Sequence, residues 1–159
     1  KIPPMTTSLP IICKEVVLSL ILYDLFFFIG HTTLHYFPTL YKLIHSKHHK
    51  MKTIRAGDAI RHSFLDGTWD VICSVLALTV LKPHALSRLV YNAIAISLIV
   101  EAHCGSYFPW SLSALIPGHV LAGPVLHDVH HRTGKHNYQK FFTYLDSFFN
   151  TYKMEFKYR

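Results

Sequence analysis

Acidic residues and cysteines are scarce in this chain: nine Asp and Glu stand against sixteen Lys and Arg, and only three of 159 residues are cysteine. Cys13, Cys73 and Cys104 are unevenly spaced and form no C-x-x-C, so neither a disulfide framework nor a thiolate zinc site is indicated and a reducing compartment is expected. The H-E-x-x-H of zinc proteases and the Glu-x-x-His of soluble carboxylate-bridged bundles are missing. So are the G-x-S-x-G serine elbow and any phosphate-binding glycine loop. The net charge of +7 is no nucleic-acid signature, because the basic residues sit beside apolar runs without a binding module. There is no internal repeat and no low-complexity tract. The chain opens on Lys1, without a signal peptide's charged start, apolar run and cleavage site. It therefore reads as a fragment of a longer protein, lacking N-terminal membrane spans.

Apolar residues are abundant. Half the chain is apolar, 14% is aromatic and only 16% is charged, which gives one domain with a real core and a balance ordinary for a lipid-embedded protein. Residues 9–30 are long enough to cross a bilayer as a helix, which takes about 20 residues. Pro38 closes that helix. Lys42, Lys47, Lys50, Lys52 and Arg55 follow, and the positive-inside rule assigns them to the cytoplasmic side. The runs 71–81 and 89–100, parted by Lys82-Pro83-His84, read as a hairpin that dips into the bilayer and returns. Its outer ends then bring His62 and Glu101-Ala-His103 to one level and leave His84 at the far tip.

Thirteen histidines are present, and eight fall into three clusters: His31-x-x-x-His35, His45-x-x-His48-His49 and His127-x-x-His130-His131. At this histidine frequency one H-x-x-H-H is expected by chance in about one such chain in ten, so two of them with an H-x-x-x-H are not accidental. Residues at i, i+3 and i+4 share one face of an α-helix, where imidazoles converge. Eight histidines, with His103 as a ninth, are too many for one tetrahedral ion and suit two ions. Imidazole alone names no metal, since it accepts zinc, copper, iron or nickel. His84, His119 and His136 read as structural. Counting 100° per residue puts Asp24 within about 40° of His31 and His35, as a carboxylate able to orient a metal-bound imidazole. Asp128 and Glu101 are candidates for the same task. The expected fold is all-α: an integral membrane helical bundle with a cytosol-facing, histidine-rich site for two metals.

These residues resemble the fatty acid hydroxylase/sterol desaturase superfamily, whose signature is this succession of H-x-x-x-H, H-x-x-H-H and H-x-x-H-H. Within it the chain is most similar to the cholesterol 25-hydroxylase and C-4 sterol methyl oxidase branch. The likeness covers residues 22–153, through LYKLIHSKHH, EAHCGSYFPW, VLHDVHH and the tail FFTYLDSFFNTYK. It departs at Ser63, where relatives have proline, at Ser106-Tyr107 for Tyr-Asp, at Leu126 for histidine and at Asn150 for glycine. No motif histidine is lost. The resemblance implies a single fatty acid hydroxylase-type domain over residues 1–159. It also implies iron ligands at His31, His35, His45, His48, His49, His127, His130 and His131, with His103 added, His62 left out and no catalytic group beyond the ligands. Implied too are two iron ions, dioxygen as cosubstrate, and electrons ultimately from NAD(P)H through a cytochrome-b-type donor and its reductase. The reaction would be oxidation of a lipid C–H bond, sterol or fatty acyl, in lipid biosynthesis, by a multi-pass enzyme of the endoplasmic reticulum membrane with its site facing the cytosol. Two other readings stay open at this point: a non-catalytic membrane protein binding zinc through the same histidines, and an inactive truncated homologue. Zinc handling would be favoured by His127 to His131 lying far from His31 to His49.

Overall fold

The computed structural model describes residues 7–50 and 54–155. Lys52, one of the basic residues used to orient the chain, lies outside them. The first helix, α1 (Leu9–Tyr36), has Pro10 in its first turn and ends at Phe37, held extended by the proline that follows. Its 28 residues carry Asp24, His31 and His35 on one continuous rod. Chain reversal follows through a single turn, α2 (Pro38–Leu40), a π-helical turn (Tyr41–His45) and a 3₁₀ turn (His48–Lys50). The second histidine cluster is therefore not on the α-helix that its spacing suggested. The wide turn, closed by Ser46 N–H donating to the Tyr41 carbonyl at 2.7 Å, re-aims His45 relative to an α-helix.

A short 3₁₀ segment (Ala56–Ile60) leads to the hairpin of α3 (Phe64–Leu81) and α4 (Ala85–Ala102). The Ser63 hydroxyl caps α3 by accepting from Asp66 N–H. Lys82 ends it in the left-handed conformation at φ 48°, just before Pro83. His84, expected at the tip, caps α4: its ring accepts from Leu86 N–H at 3.2 Å. Tyr91 Oη donates to Ser74 Oγ across the pair at 3.1 Å.

Both hairpin helices pack on α1. The α1 stripe Val16, Leu20, Tyr23 and Phe27 meets Cys73 and Ala77 of α3 and Tyr91, Ala95 and Leu98 of α4, with Phe141 closing the end nearest the histidines. Small residues at the crossing let the backbones approach closely. At Gly30 the approach is tight enough that a Cβ would lie 2.2 Å from Trp69 Nε1. Large apolar side chains point outward, among them Val71, Val75, Val80, Leu89 and Ile96. The helices α3 and α4 are each long and apolar enough to cross a membrane. The helix α1, expected as a span over residues 9–30, runs on to Tyr36 and carries Asp24 on its buried side.

The remainder is α5 (Leu112–Leu115), α6 (Pro124–Thr133) and α7 (Tyr144–Phe148), with one isolated β-bridge, Leu121 to Phe142. Pro124 opens α6 and Gly134, left-handed at φ 62°, closes it, the usual proline-in, glycine-out punctuation. The described residues form no β-strand, so the all-α expectation holds.

Candidate metal centre

The polar ends of α1 and the α3–α4 hairpin, the turns at 41–50 and α6 meet at one place, and nine histidines converge there in two groups. His31, His35, His45, His49 and His130 form one, and His48, His103, His127 and His131 the other; within each, one ring nitrogen per residue lies within 4.8 Å of the rest. These are the nine side chains singled out from the sequence. Neither H-x-x-H-H arm serves a single group. In the 45–49 turns the i, i+4 pair His45 and His49 goes to the first group and His48 to the second. On α6 the i, i+4 pair His127 and His131 goes to the second and His130 to the first. Each arm thus bridges the two groups in opposite senses.

Ring orientation is fixed from behind. His31 Nδ1 donates to the Tyr138 carbonyl at 2.7 Å, His130 Nδ1 to the His136 carbonyl at 2.7 Å and His103 Nδ1 to the Ile99 carbonyl at 2.8 Å. His45 Nδ1 donates to Asp66 Oδ2 at 2.9 Å. A ring that donates through Nδ1 keeps its lone pair on Nε2, and the Nε2 atoms face one another. The separations are 3.0 Å from His31 to His45, 3.1 Å from His49 to His45, 3.1 Å from His130 to His49 and 2.9 Å from His127 to His103. Lone pairs at that distance repel unless a cation lies among them. With metal–nitrogen bonds of about 2.1 Å, neighbouring nitrogens on a five- or six-coordinate ion sit about 3.0 Å apart. His35 Nε2, buried and without a hydrogen-bond partner, is a further donor in the first group. The donor set fits a metal ion in each group.

Burial disfavours the protonated form of several of these imidazoles. Desolvation, reinforced by neighbouring histidines, holds His48, His127 and His130 well below the ordinary value of 6.5. The same cause takes His49 down to about 3 and His131 to about 2. His103 falls to about 4 for its burial, against the Ile99 hydrogen bond that pulls it up. Near neutral pH no proton competes for these lone pairs.

The carboxylates expected to orient imidazoles do something else. Asp24 is fully buried, but it accepts from the Gln139 side chain and from the backbone N–H groups of Lys140, Phe141 and Phe142, at 2.8 to 3.0 Å, and from no imidazole. It pins the loop after α6, and Asp146 pins the same loop through Tyr138 N–H and Gln139 N–H, both at 2.8 Å. Together they place the Tyr138 carbonyl behind His31. Angular position alone suggested the wrong partner, because the helix face shared by Asp24 and His31 is wide enough to meet a loop between them. Asp128 pairs with Arg132 at 2.8 Å along α6, and Glu101 accepts from Leu112 N–H, Ser113 N–H and Ser113 Oγ, fixing the start of α5. The carboxylate that does hold an imidazole is Asp66, whose only signal in the sequence was an ionisable residue at the mouth of an apolar helix.

His62 lies outside both groups, its ring against Gly67, yet it lines a cavity of about 30 Å³ that touches both: His31 and His45 on one side, His48, His103 and His127 on the other. A wider, open groove of about 920 Å³ runs past His35, Tyr41 and Tyr138. His119 is exposed, and its carbonyl accepts from Thr143 Oγ1; His136 contributes the carbonyl behind His130.

The sequence matches the family model described as fatty acid hydroxylase over residues 16–151. Among curated proteins it is 35% identical over 138 residues to cholesterol 25-hydroxylase-like protein 1, member 2, of Danio rerio, covering 84% of this chain and 49% of that protein. It is 29% identical over 154 residues to cholesterol 25-hydroxylase of Homo sapiens, covering 94% and 55%. It is 31% identical over 157 residues to methylsterol monooxygenase 2-2 of Arabidopsis thaliana, covering 94% and 58%. The chain spans about half the length of the curated relatives it matches. No solved structure matches it.

Proposed function

The chain belongs to the fatty acid hydroxylase family, and from that premise we propose that it is a membrane oxygenase in which two histidine-held iron ions use dioxygen to hydroxylate a C–H bond of a lipid, with a sterol as the first candidate. The observation that carries the proposal is the division of the nine histidines into a group of five and a group of four whose lone pairs face inward. A structural zinc site takes four ligands in a tetrahedron, so five imidazoles in one group favour an ion of higher coordination number. The grouping also speaks against a zinc conduit, for which ligands strung along a path would serve better.

Iron held there would supply the redox chemistry that attacks an unactivated C–H bond. The ligands are the nine histidines. Asp66 and the carbonyls of Tyr138, Ile99 and His136 hold their rings, and Asp24 and Asp146 hold the loop behind them. The apolar outer faces of α3 and α4 suit a bilayer, from which a lipid substrate would be delivered. The basic turns at 42–50 suit the cytosolic side of an endoplasmic-reticulum-type membrane, where a cytochrome-b-type donor would bring electrons drawn ultimately from NAD(P)H. Residues 1–159 are proposed as one fatty acid hydroxylase-type domain.

The test is turnover of the purified, iron-loaded protein with a chemical electron donor, a panel of sterols and fatty acyl lipids, and ¹⁸O₂. The expected result is one ¹⁸O atom in a hydroxylated lipid. An iron-loaded protein that consumes no dioxygen with any of them contradicts the proposal.

A further inference from the structure

Lys140 is buried beside the site, and neither the helical core nor the metal groups account for it. Its side chain is 10% exposed and its ammonium pairs with Asp70, whose side chain is 23% exposed. It also donates to Tyr23 Oη at 3.1 Å and lies 4.1 Å from the centre of the Phe27 ring, which in turn packs on His31. Tyr23 Oη donates to Asp70, closing a triad of Asp70, Tyr23 and Lys140. An ammonium has three N–H bonds. Among the described residues, two oxygens accept from this one, which leaves a third N–H without an oxygen partner. Desolvating an ion pair is costly, so an ion pair kept here in place of apolar packing calls for a reason.

The reason lies in what the pair faces. Lys140, Asp70 and Phe27 line the cavity of about 30 Å³ that both histidine groups share. That volume is about the share of liquid occupied by one water molecule. It suits a diatomic molecule or a small anion and is far too small for a lipid. Its polar wall, apart from histidines and the Asp66 that holds His45, is the Lys140–Asp70 pair.

We propose that Lys140 is a catalytic residue of this chain, whose ammonium, set by Asp70 and Tyr23, hydrogen-bonds a small oxygen species or anion in this cavity and gives it a proton. The proposal rests on the oxygenase reading above. Hydroxylation consumes one dioxygen, two electrons from the external donor and two protons, and releases the lipid alcohol and one water. One of those protons leaves Lys140 Nζ for the oxygen atom that ends as water. It is restored from solvent through Asp70, the more exposed member of the triad.

The experiment compares wild type, Lys140→Met and Lys140→Arg, each loaded with ferric iron and titrated with sodium azide, a small linear anion, alongside metal content and the ratio of dioxygen consumed to lipid hydroxylated. Lys140→Met should keep its iron, bind azide about tenfold more weakly for loss of a charge-assisted hydrogen bond, and release hydrogen peroxide in place of product. Lys140→Arg should recover part of the azide affinity and of the coupling. Azide affinity and coupling unchanged in Lys140→Met would overturn the proposal. Should Lys140→Met lose its iron, Asp70→Asn is read in its place, since it leaves the lysine and removes its anchor; unchanged azide affinity there overturns the proposal equally. Azide binding that depends on Lys140 in a protein that oxygenates no lipid would retire the oxygenase reading and leave the anion site standing. Hydroxylation that proceeds normally in Lys140→Met would do the reverse.

Discussion

His45 illustrates how much of this site is decided one residue at a time. Its candidacy as a ligand was legible from H-x-x-H-H spacing, but neither its grouping apart from His48 nor the Asp66 carboxylate that fixes its ring was, because His45 and Asp66 are 21 residues apart and meet only when α3 folds against the turns. The other ring-holding acceptors are mostly backbone carbonyls, which every residue carries and no sequence pattern marks. Asp66→Asn removes the negative charge behind His45 and should weaken metal binding about 10- to 100-fold, measured by competition with a chelator. Acid should act on the same residues with a definite sign. The folded protein holds His103 near 4 and His49 near 3, below the ordinary 6.5 that an unfolded chain would show. Between those values the unfolded state binds more protons, so the metal-free fold loses stability as pH falls from about 6.5 toward 4 and is steadier above 6.5. Thermal melts of the metal-free protein across pH 4 to 7.5 check this; a flat profile would contradict the burial of neutral imidazoles.

The elements differ in how plainly their residues announce them. Helix α6 was plain, since Pro124 starts it, Gly134 stops it and the histidines lie between. The turns at 41–50 were not, because their i, i+4 spacing fits an α-helix as well as the π and 3₁₀ turns that form. The hairpin showed in its apolar runs, though α3 begins seven residues before the run at 71, capped by Ser63. At Asn150 the left-handed backbone, φ 57°, accounts for the glycine that the resemblance led one to expect there, and Asn is the residue other than glycine that best tolerates it. The loop after α6 is long-range structure: Asp24 joins it across 115 residues or more. Asp24→Ala would strand four donors, two of them in fully buried bonds, and should cost about 3 kcal/mol or more, with loss of metal as the Tyr138 carbonyl drifts from His31. Denaturant unfolding in detergent together with iron content measures both. Gly30→Val would drive a branched side chain into Trp69 where α1 crosses α3 and should cost about 1 to 3 kcal/mol by the same assay.

At the scale of the whole molecule, the two histidine groups lie at one end of a three-helix core, and the hairpin tip at Lys82 lies at the other. That separation makes the proposed orientation testable. In intact microsomal vesicles, on a background without native cysteines, a membrane-impermeant maleimide should label Lys47→Cys and not Lys82→Cys; the opposite pattern would invert the assignment of the site to the cytosol. The account as a whole rests on nine histidines closing on two ions. Its most direct test is the metal content of the purified protein, never exposed to a nickel column, by elemental analysis and Mössbauer spectroscopy, with His48→Ala and His49→Ala beside the wild type. The account predicts close to two irons per chain, with iron lost in both variants, since the two histidines serve different groups. A catalytically active preparation holding a single ion per chain, or variants that keep the full complement, would contradict it.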